Sequence, residues 1–125
     1  CKTKGLAGLV TTGSVRDSAE IIGMGFPVFS TGVSIVGTVK ESIGLINHPI
    51  SAGGVIVNPG DIILGDDDGI VVIPLEQAEA ALAASDARVA KENGTLEKIR
   101  AGGSIFDIYG YEAVLRRHGC VEEDA

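Results

Sequence analysis

An arginine and an aspartate stand side by side at positions 16 and 17, inside Gly8-Leu9-Val10-Thr11-Thr12-Gly13-Ser14-Val15-Arg16-Asp17. A short apolar run feeds a glycine turn, and the turn feeds a segment with helical spacing. In α/β proteins ligands favour such a strand-to-helix junction, because free backbone N–H groups and the helix dipole attract anions. A guanidinium in a first helical turn gains nothing from that dipole, so Arg16 is either solvated or aimed at an anion, for which its planar fork suits a carboxylate. Asp17 offers hard oxygens to a divalent cation. Ser14 followed three residues later by Asp17 also fits a capping box, with Asp17 reaching back to the Ser14 N–H. Both readings of Asp17 stand at this point. Glu20 shares the Asp17 face of that helix, as a second acid near a cation or as a solvated one.

Glu92 occupies the apolar stripe of a long helical pattern, between Val89 and Leu96. A carboxylate on a packing seam is costly unless it is paired or near a cation. Fraying at Asn93-Gly94 or an ion pair with Arg88 would each account for it without function. Asp66-Asp67-Asp68 lacks the spacing of a calcium loop and sits between glycines, so a tight turn is expected there. His48 precedes Pro49 and shows no partner in the sequence; His118 falls near the end of a terminal helix. Cys1 and Cys120 have no metal or redox spacing, which points to a reducing cytoplasm. The chain contains no P-loop, dinucleotide fingerprint or serine or cysteine nucleophile motif. The sequon Asn93-Gly94-Thr95 lies within a helical pattern.

These residues need elements to position them. The chain has 125 residues, 45% hydrophobic and 22% charged, which fits a single domain with a core. Ten basic against 17 acidic residues give a formal charge of −7. Three of the acids, Glu122, Glu123 and Asp124, crowd the last four positions. No basic face exists for nucleic acid or an anionic membrane surface. Two uncharged stretches, 21–39 and 42–60, are long enough to span a bilayer but are broken by glycine, proline, asparagine and hydroxyl residues, so they read as short strands.

Lys2 to Gly5 reads as the end of a helix, with Gly5 as its stop. The expected order is then a buried strand over 6–10, a helix from Val15 to about Met24 and a strand over 27–29. Strands follow at 33–39, 42–46, 55–57, 62–64 and 70–73, the last three divided by strong turn signals at 58–61 and 65–69. From Leu75 onward, Leu75, Ala78, Leu82, Ser85, Val89, Glu92, Leu96 and Ile99 form one stripe of a long helix that Gly102-Gly103 stops. Short helices are expected at 105–109 and 111–118. The fold class is α/β, layered, with a β-rich middle.

Gly5-Leu6-Ala7-Gly8-Leu9-Val10 followed by Gly13-Ser14-Val15-Arg16-Asp17 resembles the RraA-like family. That family includes 4-hydroxy-4-methyl-2-oxoglutarate aldolases, regulators of ribonuclease E and proteins labelled demethylmenaquinone methyltransferases. The likeness continues through Gly25-Phe26-Pro27-Val28-Phe29, Val39-Lys40-Glu41, Gly53-Gly54-Val55, Pro59-Gly60-Asp61 and Asp66-Asp67-Asp68-Gly69. It implies a β/β/α swivelling-type domain with a long C-terminal helix, assembled as a homotrimer or homohexamer with the site at a subunit interface. Over residues 1–125 the chain resembles the C-terminal portion of a typical member, and is expected to be N-terminally incomplete.

The resemblance implies a divalent-metal-dependent aldolase that cleaves 4-hydroxy-2-oxo acids to pyruvate and decarboxylates oxaloacetate. The family motif is an Asp, twenty residues, then Arg-Asp; the pair matches Arg16 and Asp17, while the upstream Asp and the substrate loop would precede Cys1. Arg16 would then bind substrate oxygens and Asp17 would ligate Mg²⁺ or Mn²⁺. Glu92, in Lys91-Glu92, matches a glutamate that acts from a neighbouring subunit through a water. Thr12 stands where many members carry Asp, and His48 where many carry an aliphatic residue. The rival expectation is a non-catalytic regulator, whose acidic surface suits a basic, RNA-contacting protein.

Overall fold

A computed structural model describes residues 1–120, which form two compact units, Cys1–Leu75 and the described residues from Glu76 on. The acidic cluster at 122–124 lies outside the described residues. Among those residues, no helix is long and apolar enough to cross a membrane. Mixed strands and helices, with one long helix, give the α/β class expected.

The first unit opens on a 3₁₀ turn over Lys2–Lys4, closed by Gly5 in the left-handed region at φ 75°. Strands β1 (Leu9–Val10) and β2 (Ser14–Val15) lead to helix α1 (Ser18–Gly23), and β3 (Val28–Phe29) and β4 (Gly32–Val33) follow. β1 pairs with β3 and β2 with β4, both parallel. Parallel neighbours need a crossover of about a dozen residues, and α1 with its flanks provides it. The Lys2 ammonium donates to the carbonyl of Met24, the C-cap of α1, where the helix dipole favours a cation.

The two parallel ladders belong to one ribbon with an irregularity in its middle. Leu9 faces Val28 and Val10 faces Phe29; Ser14 then faces Gly32 and Val15 faces Val33. Between them Thr11, Thr12 and Gly13 stand opposite only Ser30 and Thr31, so the first strand carries one extra residue. This is a β-bulge, uncommon in parallel pairs. Thr11 N–H to Phe29 C=O (2.9 Å) and Thr31 N–H to Gly13 C=O (3.3 Å) hold its two ends.

Two hairpins complete the unit. β5 (Ile50–Ala52) and β6 (Val55–Val57) turn through Gly53-Gly54, both at positive φ (59° and 83°), the requirement of a two-residue primed turn. β7 (Ile62–Asp66) and β8 (Gly69–Ile73) turn through Asp67-Asp68. The Asp66 carboxylate accepts from Asp68 N–H (2.9 Å) and Gly69 N–H (3.2 Å), so the triple aspartate is a turn, as its flanking glycines imply. The other separator closes similarly, with Asn58 N–H donating to the Asp61 carboxylate at 2.8 Å.

Several expectations give way here. The strand over 6–10 is two residues long, and Leu9 and Val10 remain about 40% exposed. Ribbons of two strands have too little surface to enclose a sheet face, and among the described residues no side chain is fully buried. The strand expected over 33–39 stops at Val33, and 42–46 forms no regular structure, because neither stretch finds a ladder partner. Helix α1 starts at Ser18 instead of Val15, since Val15 is held in the ladder with β4. The half-buried residues Val28, Phe29, Ala52, Val57 and Val72 line an uncharged groove of about 680 Å³. Phe29 lies against β7, where a Cβ on Gly65 would come within 2.6 Å of its ring.

In the second unit a 3₁₀ turn (Leu75–Gln77, begun in the first unit) leads into helix α2 (Ala78–Arg100), which runs unbroken through Asn93-Gly94. Gly102, at φ 91°, and Gly103 stop it; Gly103 N–H returns to the Lys98 carbonyl at 2.9 Å. Ser104 caps α3 (Ile105–Tyr109) by accepting from Phe106 N–H at 3.1 Å. Gly110, at φ 65°, joins α3 to α4 (Tyr111–Arg117), and His118 is the C-cap. Tyr111 meets Phe106 edge-on (6.2 Å between centroids) and stacks with Tyr109 (5.8 Å).

Two glycines of this unit, Gly94 and Gly103, separate cleanly by surroundings. A Cβ on Gly94 meets nothing within 4 Å, whereas one on Gly103 would lie 2.8 Å from the Lys98 carbonyl oxygen. Gly94→Ala should raise stability by about 0.5–1 kcal/mol. Gly103→Ala should lower it by about 1–3 kcal/mol. Urea unfolding of both variants, followed by far-UV circular dichroism, checks the opposite signs.

Candidate active site

Arg16 and Asp17 fall in the link between β2 and α1, beyond the last ladder contact, where Ser34 N–H donates to the Val15 carbonyl at 2.8 Å. Arg16 therefore precedes the helix and does not sit in its first turn. Asp17 is the N-cap position of α1, in the left-handed region at φ 59°, ψ 38°. Aspartate tolerates that region better than most residues. Its carboxylate makes no capping bond. It accepts from Arg16 Nε at 3.1 Å, so the capping-box reading with Ser14 gives way to an ion pair between sequence neighbours.

That ion pair is one-sided. Nε binds one carboxylate oxygen, Oδ2, and among the described residues the two Nη groups and Oδ1 have no hydrogen-bond partner. Both side chains are more than half exposed, 60% and 56%. A pair this wet contributes at most about 1 kcal/mol to stability. What it supplies is arrangement, because a two-pronged cationic edge and a carboxylate oxygen are held next to each other. They border a hollow of about 230 Å³ whose walls also include Val15, Val33, Ser34 and Ile35. No motif spacing in the sequence reveals Val33, Ser34 or Ile35 as neighbours of Arg16; the parallel pairing of β2 with β4 brings them there.

The donor chemistry suits a hard cation held lightly. Asp17 gives one carboxylate, and among the described residues no group of three or more His, Cys, Asp or Glu side chains converges on a point. Mg²⁺ is commonly bound through one or two carboxylates while it keeps several waters, so Asp17 fits as a single protein ligand.

Glu92 lies on α2 in the second unit. Its carboxylate accepts from Arg88 Nε at 2.8 Å, one helical turn back, and its side chain is 56% exposed. The helix does not fray there. The desolvation cost that made Glu92 odd in the sequence is absent, because Leu82, Val89 and Leu96 on the same stripe are also exposed. Glu20 lies in the first turn of α1. Cys1 and Cys120 are free thiols on the surface.

The RraA-like family profile (Aldolase/RraA) matches residues 1–72, and the chain belongs to that family. A Halalkalibacterium halodurans protein named "Putative 4-hydroxy-4-methyl-2-oxoglutarate aldolase" is 48% identical over 81 residues, which are 65% of this chain and 39% of that protein. An uncharacterized Methanocaldococcus jannaschii protein is 36% identical over 111 residues, 89% of this chain and 53% of that one. The crystal structure of Streptomyces coelicolor RraAS2, described as an unusual member of the RNase ES inhibitor RraA protein family, superposes with a TM-score of 0.66 at 33% identity. That match covers 77% of this chain and 50% of RraAS2. The chain thus spans about half the length, or less, of the curated relatives it matches.

The geometry of Asp17 separates its backbone role from its charge. Asp17→Asn keeps a residue that accepts the left-handed conformation and should leave stability within about 0.5 kcal/mol of wild type. Asp17→Val puts a β-branched side chain there and should cost about 1–2 kcal/mol. Equal denaturation midpoints for the two variants would contradict this assignment.

Proposed function

We propose that the chain carries the catalytic pair of a divalent-metal-dependent class II aldolase. Its substrates would be 4-hydroxy-2-oxo acids such as 4-hydroxy-4-methyl-2-oxoglutarate, cleaved to pyruvate and a second oxo acid. The observation that carries the reading is the Arg16–Asp17 pair, joined through Nε and Oδ2, on the wall of the hollow beside β2 and β4. Family membership and the name of the Halalkalibacterium halodurans relative support a lyase.

Asp17 would hold Mg²⁺ or Mn²⁺. The ion, when bound, supplies Lewis-acid polarisation of the 2-oxo group. Arg16 presents its Nη groups to the oxygen that gains charge as the C3–C4 bond breaks, and it is fixed for this by the bond from Nε to Asp17. Loss of the C4 hydroxyl proton releases the second oxo acid, and the pyruvate enolate takes a proton at C3. Glu92 of a neighbouring copy would take part in that proton movement through a water. Its surface pair with Arg88 is cheap to exchange, so the carboxylate is available. Oxaloacetate decarboxylation passes through the same enolate and is expected as a side activity. Such a site sits between copies of the chain, in a homotrimer or homohexamer.

A second reading, a non-catalytic regulator that binds a ribonuclease, is favoured by the likeness to RraAS2 and by the net charge of −7. Substitution separates the two. Asp17→Ala should abolish Mg²⁺-dependent pyruvate release in a coupled assay, and retained turnover would end the aldolase reading. Arg16→Lys should lower kcat/KM by about 100-fold or more, because a point charge replaces a fork. Capture of a basic ribonuclease that Asp17→Ala leaves unchanged, with no pyruvate formed by the wild type, would establish the regulator.

A further inference from the structure

The bulge in the parallel ribbon has a specific fastening. Thr12 is central in the three-residue stretch that faces two, and its carbonyl has no backbone donor among the described residues. The Thr31 hydroxyl, from the opposite strand, donates to it at 3.0 Å. On the near side the Thr11 hydroxyl accepts from Gly13 N–H at 3.1 Å. Thr31 also uses its own N–H on the Gly13 carbonyl, so one residue grips two successive carbonyls of the irregular stretch.

We propose that Thr31 is a positioning residue for Arg16 and Asp17, an assignment that rests on the reading of that site given above. The argument is one of register. A single residue gained or lost in a strand moves every following side chain to the other face. Arg16 comes four residues after Thr12, and only Ser14 and Val15 of the intervening residues are laddered. The bulge therefore decides which way the ion pair faces, and the Thr31 hydroxyl holds the bulge. The bond asks for a hydroxyl and nothing more. Serine can make it, and valine, with the shape and backbone preference of threonine, cannot.

The test compares Thr31→Val with Thr31→Ser in the full chain. Mn²⁺ affinity is read by electron paramagnetic resonance of the free ion, together with pyruvate turnover and the urea midpoint. Thr31→Val should weaken Mn²⁺ binding and lower kcat by about tenfold each, in the range that supporting hydrogen bonds around metal ligands command. Its urea midpoint should match wild type, and Thr31→Ser should stay within about twofold of wild type in both functional readouts. The amide resonances of Ser14 to Asp17 should shift in Thr31→Val and return in Thr31→Ser. Wild-type Mn²⁺ binding that Thr31→Val leaves intact overturns the role of Thr31 alone. So does a loss that follows a lower midpoint and is not rescued by serine. A wild type whose Mn²⁺ binding is nil, and unchanged in Asp17→Ala, takes down the site reading itself and this assignment with it.

Discussion

The parallel pairing of residues 9–15 with residues 28–33 is the constraint on which the first unit depends. Parallel strands cannot be joined by a tight turn, so the chain between them must leave the ribbon, cross over and return. Arg16 and Asp17 are the first residues to leave, and α1 is the crossover. The pair thus stands where the ladder has just ended and the helix has not begun. Two backbone conformations meet there, and Asp17 takes up the change with a positive φ. A residue other than Asp, Asn or Gly would resist that change.

An ion pair between adjacent residues does little for stability when both are wet. On the proposed reading its value is chemical. Nε is engaged and the Nη edge is not; Oδ2 is engaged and Oδ1 is not. Each group is oriented by the other while the half that could meet a ligand stays open. The hydroxyl residues Thr11 and Thr31 act further back, on the backbone that delivers the pair. Glu92 shows the same economy on α2, held by a bond to Arg88 that solvent can readily replace.

The openness of the described residues follows from how the β structure is divided. Four two-stranded ladders share eight strands, and none is wide enough to bury a face. Val10, Val28, Phe29 and Val57 consequently line a groove without entering a closed interior. Length and composition suggested a core, since 45% of residues are hydrophobic. Hydrophobic content permits burial but does not supply the opposing surface that burial needs.

Much of the local structure was legible because it is set by short-range chemistry. Asn58-Pro59-Gly60-Asp61 and the triple aspartate each specify a turn within a few residues, and both turns form, the second closing a hairpin. The strand Ile50–Ala52 and its hairpin through Gly53-Gly54 were not among the expected elements. The apolar stripe and Gly102-Gly103 mark the long helix and its end, and Ile105–Tyr109 forms as its spacing implies. The Arg16–Asp17 pair was legible as residue types in sequence. Its setting was not. Ladder partners decide whether Val15 is strand or helix, whether 42–46 is strand at all, and whether Asp17 caps a helix or pairs with its neighbour. The extra residue at Thr11–Gly13 shows only when the opposite strand is laid beside it. Sequence determined what each short segment could do alone, through dihedral preference and side-chain spacing; the tertiary structure decided what faces what, because pairing and register are properties of two segments and are written in neither.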